Sequence, residues 1–204
     1  GMFYEACPEA YEKKPGRIAS EKFPFLKNVV FLGDIPYNGM FTWNEFLERG
    51  EEITDDDLVA RGETLSFDDA INIQYTSGTT GFPKGVVLTP HSVLNNGFII
   101  GEGMGFTAKD RLCIPVPFYH CFGMVLSNLA SVTHGTTMVL PAPAFDAEAV
   151  LKTVEQERCT ALHGVPTMFI AELTHPNFAK YNYSTLRTGI MAGSPCPIEV
   201  MKQV

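Results

Sequence analysis

Up to residue 69 the apolar residues recur without a sustained period, whereas from Ala70 onward short apolar runs alternate with longer amphipathic ones. In the irregular part, Asn28–Leu32 predicts a short strand. Thr42-Trp43-Asn44-Glu45 has the spacing of a capping box, in which the Thr hydroxyl and the Glu carboxylate each accept a backbone N–H of the other residue. It predicts a helix to Arg49, stopped by Gly50, and a second short helix is expected from Thr54 or Asp55 to Ala60.

In the regular part, Ala70–Tyr75 reads as a strand with Ile71, Ile73 and Tyr75 on one face. Further strands are expected at Gly85–Leu88, Arg111–Val116, Thr136–Leu140, Thr160–His163 and Leu186–Ala192. Thr89-Pro90 supplies an N-cap and a first helical residue for a helix to Met104. Other helices are expected over Cys121–Thr133, ended by His134-Gly135, from the cap Asp146 to Arg158, and over Pro166–Thr174. Such alternation predicts an α/β fold, a mostly parallel β-sheet flanked by helices. The expected division is an irregular segment over 1–69 and an α/β subdomain over 70–204. Pro197–Val204 opens one more helix with no C-cap and no closing strand, so the chain is expected to be cut from a longer one.

Composition narrows the function classes. The 204 residues, 45% hydrophobic and 19% charged, suit a globular chain with a real core and exclude disorder. The net charge is −8, which argues against a nucleic-acid grip. All of it arises over 45–69, where Arg49 and Arg61 face ten acids; the remainder is neutral. This run lacks the spacing of a Ca²⁺ loop and reads as a solvated surface, and no metal site is expected. Five cysteines with no C-x-x-C pair read as reduced thiols of a cytoplasmic protein. Leu112–Phe145 carries no Asp, Glu, Lys or Arg. Four prolines break it, and its best helical piece is shorter than the ~20 apolar residues of a membrane span, so it is read as buried strand–helix–strand.

The candidate chemistry lies between the first two expected strands, at Thr76-Ser77-Gly78-Thr79-Thr80-Gly81-Phe82-Pro83-Lys84. Gly78 and Gly81 let the backbone turn several N–H groups toward one point, the hydroxyls add donors, and Lys84 adds a mobile positive charge. These are the parts of a phosphate cradle. The spacing is not that of a Walker A loop, because Pro83 stands where its second glycine belongs and Gly85 follows the lysine.

This loop resembles the signature loop of the adenylate-forming superfamily. Pro117-Phe118-Tyr119-His120-Cys121-Phe122-Gly123 resembles the family's aromatic–His motif, Gly164-Val165-Pro166-Thr167-Met168 the segment before its acyl pocket, and Ala192-Gly193-Ser194-Pro195 its small-residue loop. Across most of its length the chain is similar to medium-chain fatty-acid–CoA ligases. The resemblance implies ATP, Mg²⁺ and CoA as cofactors and activation of a fatty acid through an acyl-adenylate. It implies Thr76, Ser77, Gly78, Thr79, Thr80, Gly81, Phe82, Pro83 and Lys84 at the ATP phosphates, and Gly193 and Ser194 beside the adenylate. It places His120, with Lys84 the expected catalytic pair, at the substrate carboxylate, and Phe122, Met124, Val125, Met168 and Phe169 along the acyl pocket. The family's later Glu motif, ribose-binding Asp and C-terminal catalytic Lys do not occur in these 204 residues, so the isolated chain is expected to be inactive. An exposed sheet edge is expected to favour self-association. Two other readings are a non-catalytic nucleotide-binding module and an adenylation domain that serves a carrier protein.

Overall fold

The computed structural model describes residues 1–76 and 81–204, which fall into two units, Gly1–Leu65 and Ser66–Val204. In the first unit, α1 (Met2–Ala6) and a 3₁₀ turn (Pro8–Glu12) bury Cys7 and Ala10 with Ile18 against Phe3, Leu26 and Val29. Both capped helices expected from the sequence are present. α2 (Trp43–Gly50) opens at Thr42, whose hydroxyl accepts from Glu45 N–H at 3.2 Å while the Glu45 carboxylate accepts from Thr42 N–H at 2.8 Å. α3 (Asp55–Glu63) repeats this exchange between Thr54 and Asp57 and runs past the expected Ala60. Its Asp55, Asp56 and Asp57 sit at the positive end of the helix dipole, and the acidic run is solvent-exposed throughout. Asn28–Leu32 does not form the expected strand. Val30 makes a single parallel bridge to Phe41, and pairing stops there because Thr42 turns the chain into α2.

The second unit opens with β1 (Asn72–Thr76) and β2 (Lys84–Leu88), paired antiparallel with Thr76 opposite Lys84. These two strands stay outside the parallel sheet, because the connection over 77–83 is shorter than the roughly 12 residues a parallel crossover needs. β3 (Arg111–Cys113), β4 (Thr137–Val139), β5 (Ala161–Gly164) and β6 (Thr188–Met191) form a wholly parallel sheet in the order β4-β3-β5-β6.

Strand alternation sorts the core into two layers. Leu112, Ile114 and Ala161 face one way, toward Ile100 and Met104 of α4 (Pro90–Met104), Phe122 and Leu126 of a wide helix (Phe122–Leu129), and Ala130 of α5 (Ala130–His134). Cys113, Val139 and Leu162 face the other way, toward Val150 and Val154 of α6 (Ala147–Gln156), Phe169 of α7 (Pro166–Leu173) and Val200 of α8 (Ile198–Gln203). The helix expected over Cys121–Thr133 is present, but over its first two turns the hydrogen bonds reach back five residues, as from Ala130 N–H to the Val125 carbonyl. Among the described residues no helix is long and apolar enough to cross a membrane.

One carboxylate ties the amino ends of the strands together. Asp110, just before β3, is buried and accepts from Arg187 Nε and Nη2 at 3.0 and 2.7 Å and from the Thr160 hydroxyl at 2.7 Å. It also accepts from the Thr107 N–H and hydroxyl, each at 2.9 Å. Thr160 precedes β5, Arg187 precedes β6, and Arg187 also donates to the Met104 and Gly105 carbonyls at the end of α4. Burial opposes the charge of Asp110, but the bonds from Arg187, Thr160 and Thr107 outweigh it and hold the carboxyl well below the usual carboxylate range.

Glu172 of α7 is the opposite case. It is buried beside a mostly apolar cavity of about 570 Å³, and burial alone pushes its carboxyl up to about 8. An unfolded glutamate ionises near pH 4.3, so between about pH 4 and 8 the unfolded chain gives up a proton that the folded chain keeps, and stability falls as pH rises. Glu172→Gln is therefore expected to be more stable than wild type by about 2 kcal/mol at pH 7, with the gain gone below pH 4. Urea unfolding at both pH values checks this; a gain that does not depend on pH rules out ionisation as its cause.

Candidate functional site

Parallel strands bring their carboxyl ends to one rim, where an open α/β sheet offers its binding crevice. Three of the turns singled out in the sequence leave this rim from adjacent strands. Pro117–Phe122 follows β3, Gly164-Val165-Pro166 follows β5, and Ala192-Gly193-Ser194 follows β6. The last two touch: Ala192 N–H donates to the Gly164 carbonyl at 3.3 Å, and a Cβ on Gly193 would lie 3.1 Å from Val165 Cγ1. Gly193 adopts φ +93°, which a side chain would strain. Gly193 and Ser194 are both exposed at this rim.

His120 is held by its own turn. Its N–H donates to the Pro117 carbonyl at 3.2 Å, and its Nδ1 accepts from Phe122 N–H at 3.1 Å. A neutral ring with Nδ1 used as an acceptor carries its proton on Nε2. The exposed side chain is thus a hydrogen-bond donor, suited to an anionic oxygen.

The apolar candidates are only partly gathered. Phe122 and Val125 are buried and Met124 half-buried on the wide helix, and Met168 packs against the same cluster as Phe122. Phe169 is not brought to them. Successive residues on α7 point about 100° apart, and Phe169 enters the opposite layer with Val150 and Leu162. Beside the His120 turn lies a cavity of about 450 Å³ whose walls include Ile114, Phe118, Tyr119, Leu140, Phe145 and Met168. Its lining is uncharged and comes mostly from the neutral Leu112–Phe145 run, and the volume suits a small apolar ligand.

The phosphate-loop candidates Ser77, Gly78, Thr79 and Thr80 lie outside the described residues. The flanking residues are placed. Thr76 and Lys84 are cross-strand partners on one face of the hairpin, Gly81 has φ +91°, and Phe82, Pro83 and Lys84 are exposed. Among the described residues no group of three or more His, Cys, Asp or Glu side chains could hold a metal ion.

The sequence did not single out Ser127 or His163 as members of the site. Both are fully buried, with Ser127 Oγ 2.9 Å from His163 Nδ1 and the His163 ring packed between Phe106 and Phe122. The available signal was a histidine within an otherwise apolar strand run.

Comparison with known proteins identifies the family. Residues 26–204 match the family model described as AMP-binding enzyme. The chain is 57% identical, over 97% of its length, to a putative acyl-CoA synthetase, YngI, of Bacillus subtilis, covering 36% of that protein. It is 40% identical over its whole length to the mitochondrial medium-chain acyl-CoA ligase ACSF2 of Danio rerio, covering 34% of it. The chain thus spans about a third of the length of these curated relatives. Among solved structures, the inhibitor-bound N-terminal domain of FACL13 from Mycobacterium tuberculosis superposes with a TM-score of 0.59 at 26% identity, over 83% of this chain and 42% of that one. ATP-bound MatB from Rhodopseudomonas palustris does so with a TM-score of 0.61 at 30% identity, over 68% and 27%. With three motif-bearing turns on one rim of a parallel sheet and a family match from residue 26 to residue 204, the chain belongs to the AMP-binding enzyme family.

Proposed function

We propose that the protein carrying this chain activates a carboxylic acid with ATP and transfers the acyl group to coenzyme A. In the first step a carboxylate oxygen attacks the α-phosphorus, and the bond to the bridging oxygen breaks, so that pyrophosphate leaves with the electron pair. In the second, the sulfur of the CoA thiol attacks the acyl carbon, AMP leaves, and the thiol proton passes to solvent. The observation that carries this reading is His120 on the strand-end rim. Its Nδ1 is taken by the Phe122 N–H, which leaves Nε2 to face a ligand, and its turn contributes Phe118 and Tyr119 to an uncharged cavity. An apolar acid fits such a site with its tail against the cavity wall and its carboxylate toward His120 Nε2.

Displacement at phosphorus is promoted mainly by positioning and charge neutralisation. We assign these to Thr76, Ser77, Gly78, Thr79, Thr80, Gly81 and Lys84 at the ATP phosphates, with Gly193 and Ser194 beside the adenylate. Mg²⁺ has no cluster of ligands among the described residues, and no step here depends on it. The medium-chain character of the acid is inferred from ACSF2, and the cytosol-like setting from five cysteines without a disulfide.

Calorimetry with ATP tests the phosphate assignment. The wild-type chain is expected to bind, and Lys84→Ala to bind about 10-fold more weakly, the loss of one hydrogen bond to a charged group. Thr80→Ala is expected to weaken binding by a smaller factor. No binding by wild type, or equal affinity in Lys84→Ala, refutes the assignment.

A further inference from the structure

The wide helix, the buried pair behind it and the His120 turn share one run of hydrogen bonds. Phe122 N–H donates to His120 Nδ1 at 3.1 Å. The carbonyl of the same residue accepts from the Ser127 hydroxyl at 3.2 Å, and Ser127 Oγ lies 2.9 Å from His163 Nδ1. Met104 Sδ stands 3.3 Å from His163 Nε2, on the far side of the ring.

Burial pushes His163 down to about 4, so the ring is neutral with one N–H. Two arrangements satisfy one ring proton and one hydroxyl proton. In the first, Nδ1–H donates to Ser127 and Ser127 donates to the Phe122 carbonyl. In the second, Ser127 donates to Nδ1 and Nε2–H donates to the Met104 thioether. Only the first makes hydrogen bonds of both Ser127 contacts, since the Phe122 carbonyl can only accept, and it is the arrangement taken here. Donors then run in one direction, from β5 through Ser127 to Phe122 and on to His120. The Phe122 ring also packs on the His163 ring, with centroids 5.5 Å apart, so the same residue is held by its side chain and by its backbone.

We propose that His163 and Ser127 are positioning residues for His120, acting through Phe122 to keep its Nδ1 occupied and its Nε2–H turned outward. Hydrogen bonds that reach back five residues often mark functional sites, and here they place Ser127 Oγ over the Phe122 carbonyl. The proposal rests on His120 being the group that meets the carboxylate, but the relay is read without any ligand.

Nitrogen-15 NMR of the ring nitrogens of His120 in the 204-residue chain, assigned with His120→Gln, tests it. In wild type the two shifts are expected to be widely separated, with Nδ1 unprotonated. Ser127→Ala removes one hydroxyl with little change of volume and is expected to bring the two shifts toward each other as the tautomers mix. His163→Leu is expected to do the same. His163→Asn, whose amide can donate from the Nδ1 position, is expected to restore the separation. Wild-type His120 shifts in folded Ser127→Ala overturn the relay, as does equal perturbation by His163→Asn and His163→Leu. If His163→Leu does not fold, Ser127→Ala alone decides. A result for the relay combined with no ATP binding separates failure of the functional reading from failure of this one.

Discussion

Asp110→Asn is expected to destabilise the chain by about 3 kcal/mol at pH 7. Removing one partner of a buried ion pair usually costs about 3–5 kcal/mol, and the lower end applies because the Arg187 side chain is 43% exposed and water screens the pair. The replacement cannot restore the network. An asparagine amide can accept through only one of its two terminal atoms, whereas both carboxylate oxygens of Asp110 accept here. Either orientation of the amide sets an NH₂ group against donors of Arg187 and of Thr160 or Thr107. The loss falls on the junction of β3, β5, β6 and the end of α4 together, so no single element can fray to absorb it.

Its pH dependence has a definite sign. The folded carboxyl is held below its unfolded value, near 3.9 for an aspartate, so its stabilisation is fully present above about pH 4 and is lost as pH falls further. Other carboxylates also protonate there, and the difference between wild type and Asp110→Asn isolates this one. Urea unfolding from pH 7 down to pH 2 is expected to show the gap narrowing below pH 4; a constant gap means the ionised carboxylate is not its source.

What could be read in advance divides along the reach of the interactions. Thr42, Thr54 and Thr89 were legible as helix starts because a capping exchange closes within three residues. The alternation after Ala70 announced the parallel sheet, but nothing local states its order, which depends on packing between helices far apart in sequence. The β1–β2 hairpin was readable in principle, since the length of 77–83 already excludes a crossover. Among the site residues, the His120 and Gly193 turns were visible as motifs, and they share one rim because β3 and β6 both flank β5 in the parallel sheet. Met168 and Phe169 could not be divided between layers without the rotational phase of α7. Ser127 and His163 were illegible for a simpler reason: they meet across 36 residues of sequence, and neither carries a local signal of the other.

Gly123→Ala is the other substitution expected to have a large effect, about 3 kcal/mol of lost stability together with disruption of the His120 turn. A Cβ at this position would lie 2.3 Å from the Pro117 carbonyl oxygen, 2.7 Å from its carbon and 3.0 Å from Phe118 Cα. All three are backbone atoms, so no rotamer change can relieve the contact, and the ring of Pro117 limits how its own backbone can turn. The strain must separate the Pro117–His120 turn from the wide helix. That separation breaks the Phe122 N–H bond to His120 Nδ1 and frees the ring. Gly103→Ala is the control, because it sits on the exposed side of α4 with nothing within 4 Å of a Cβ, and a helix there gains about 0.5–1 kcal/mol from alanine. Urea unfolding of both variants, with the His120 ring shifts measured in each, is expected to show Gly103→Ala slightly stabilised with wild-type shifts. Gly123→Ala is expected to be strongly destabilised, with its two ring shifts drawn together. Equal stability of the two variants would mean that the close approach at Gly123 does not hold the turn.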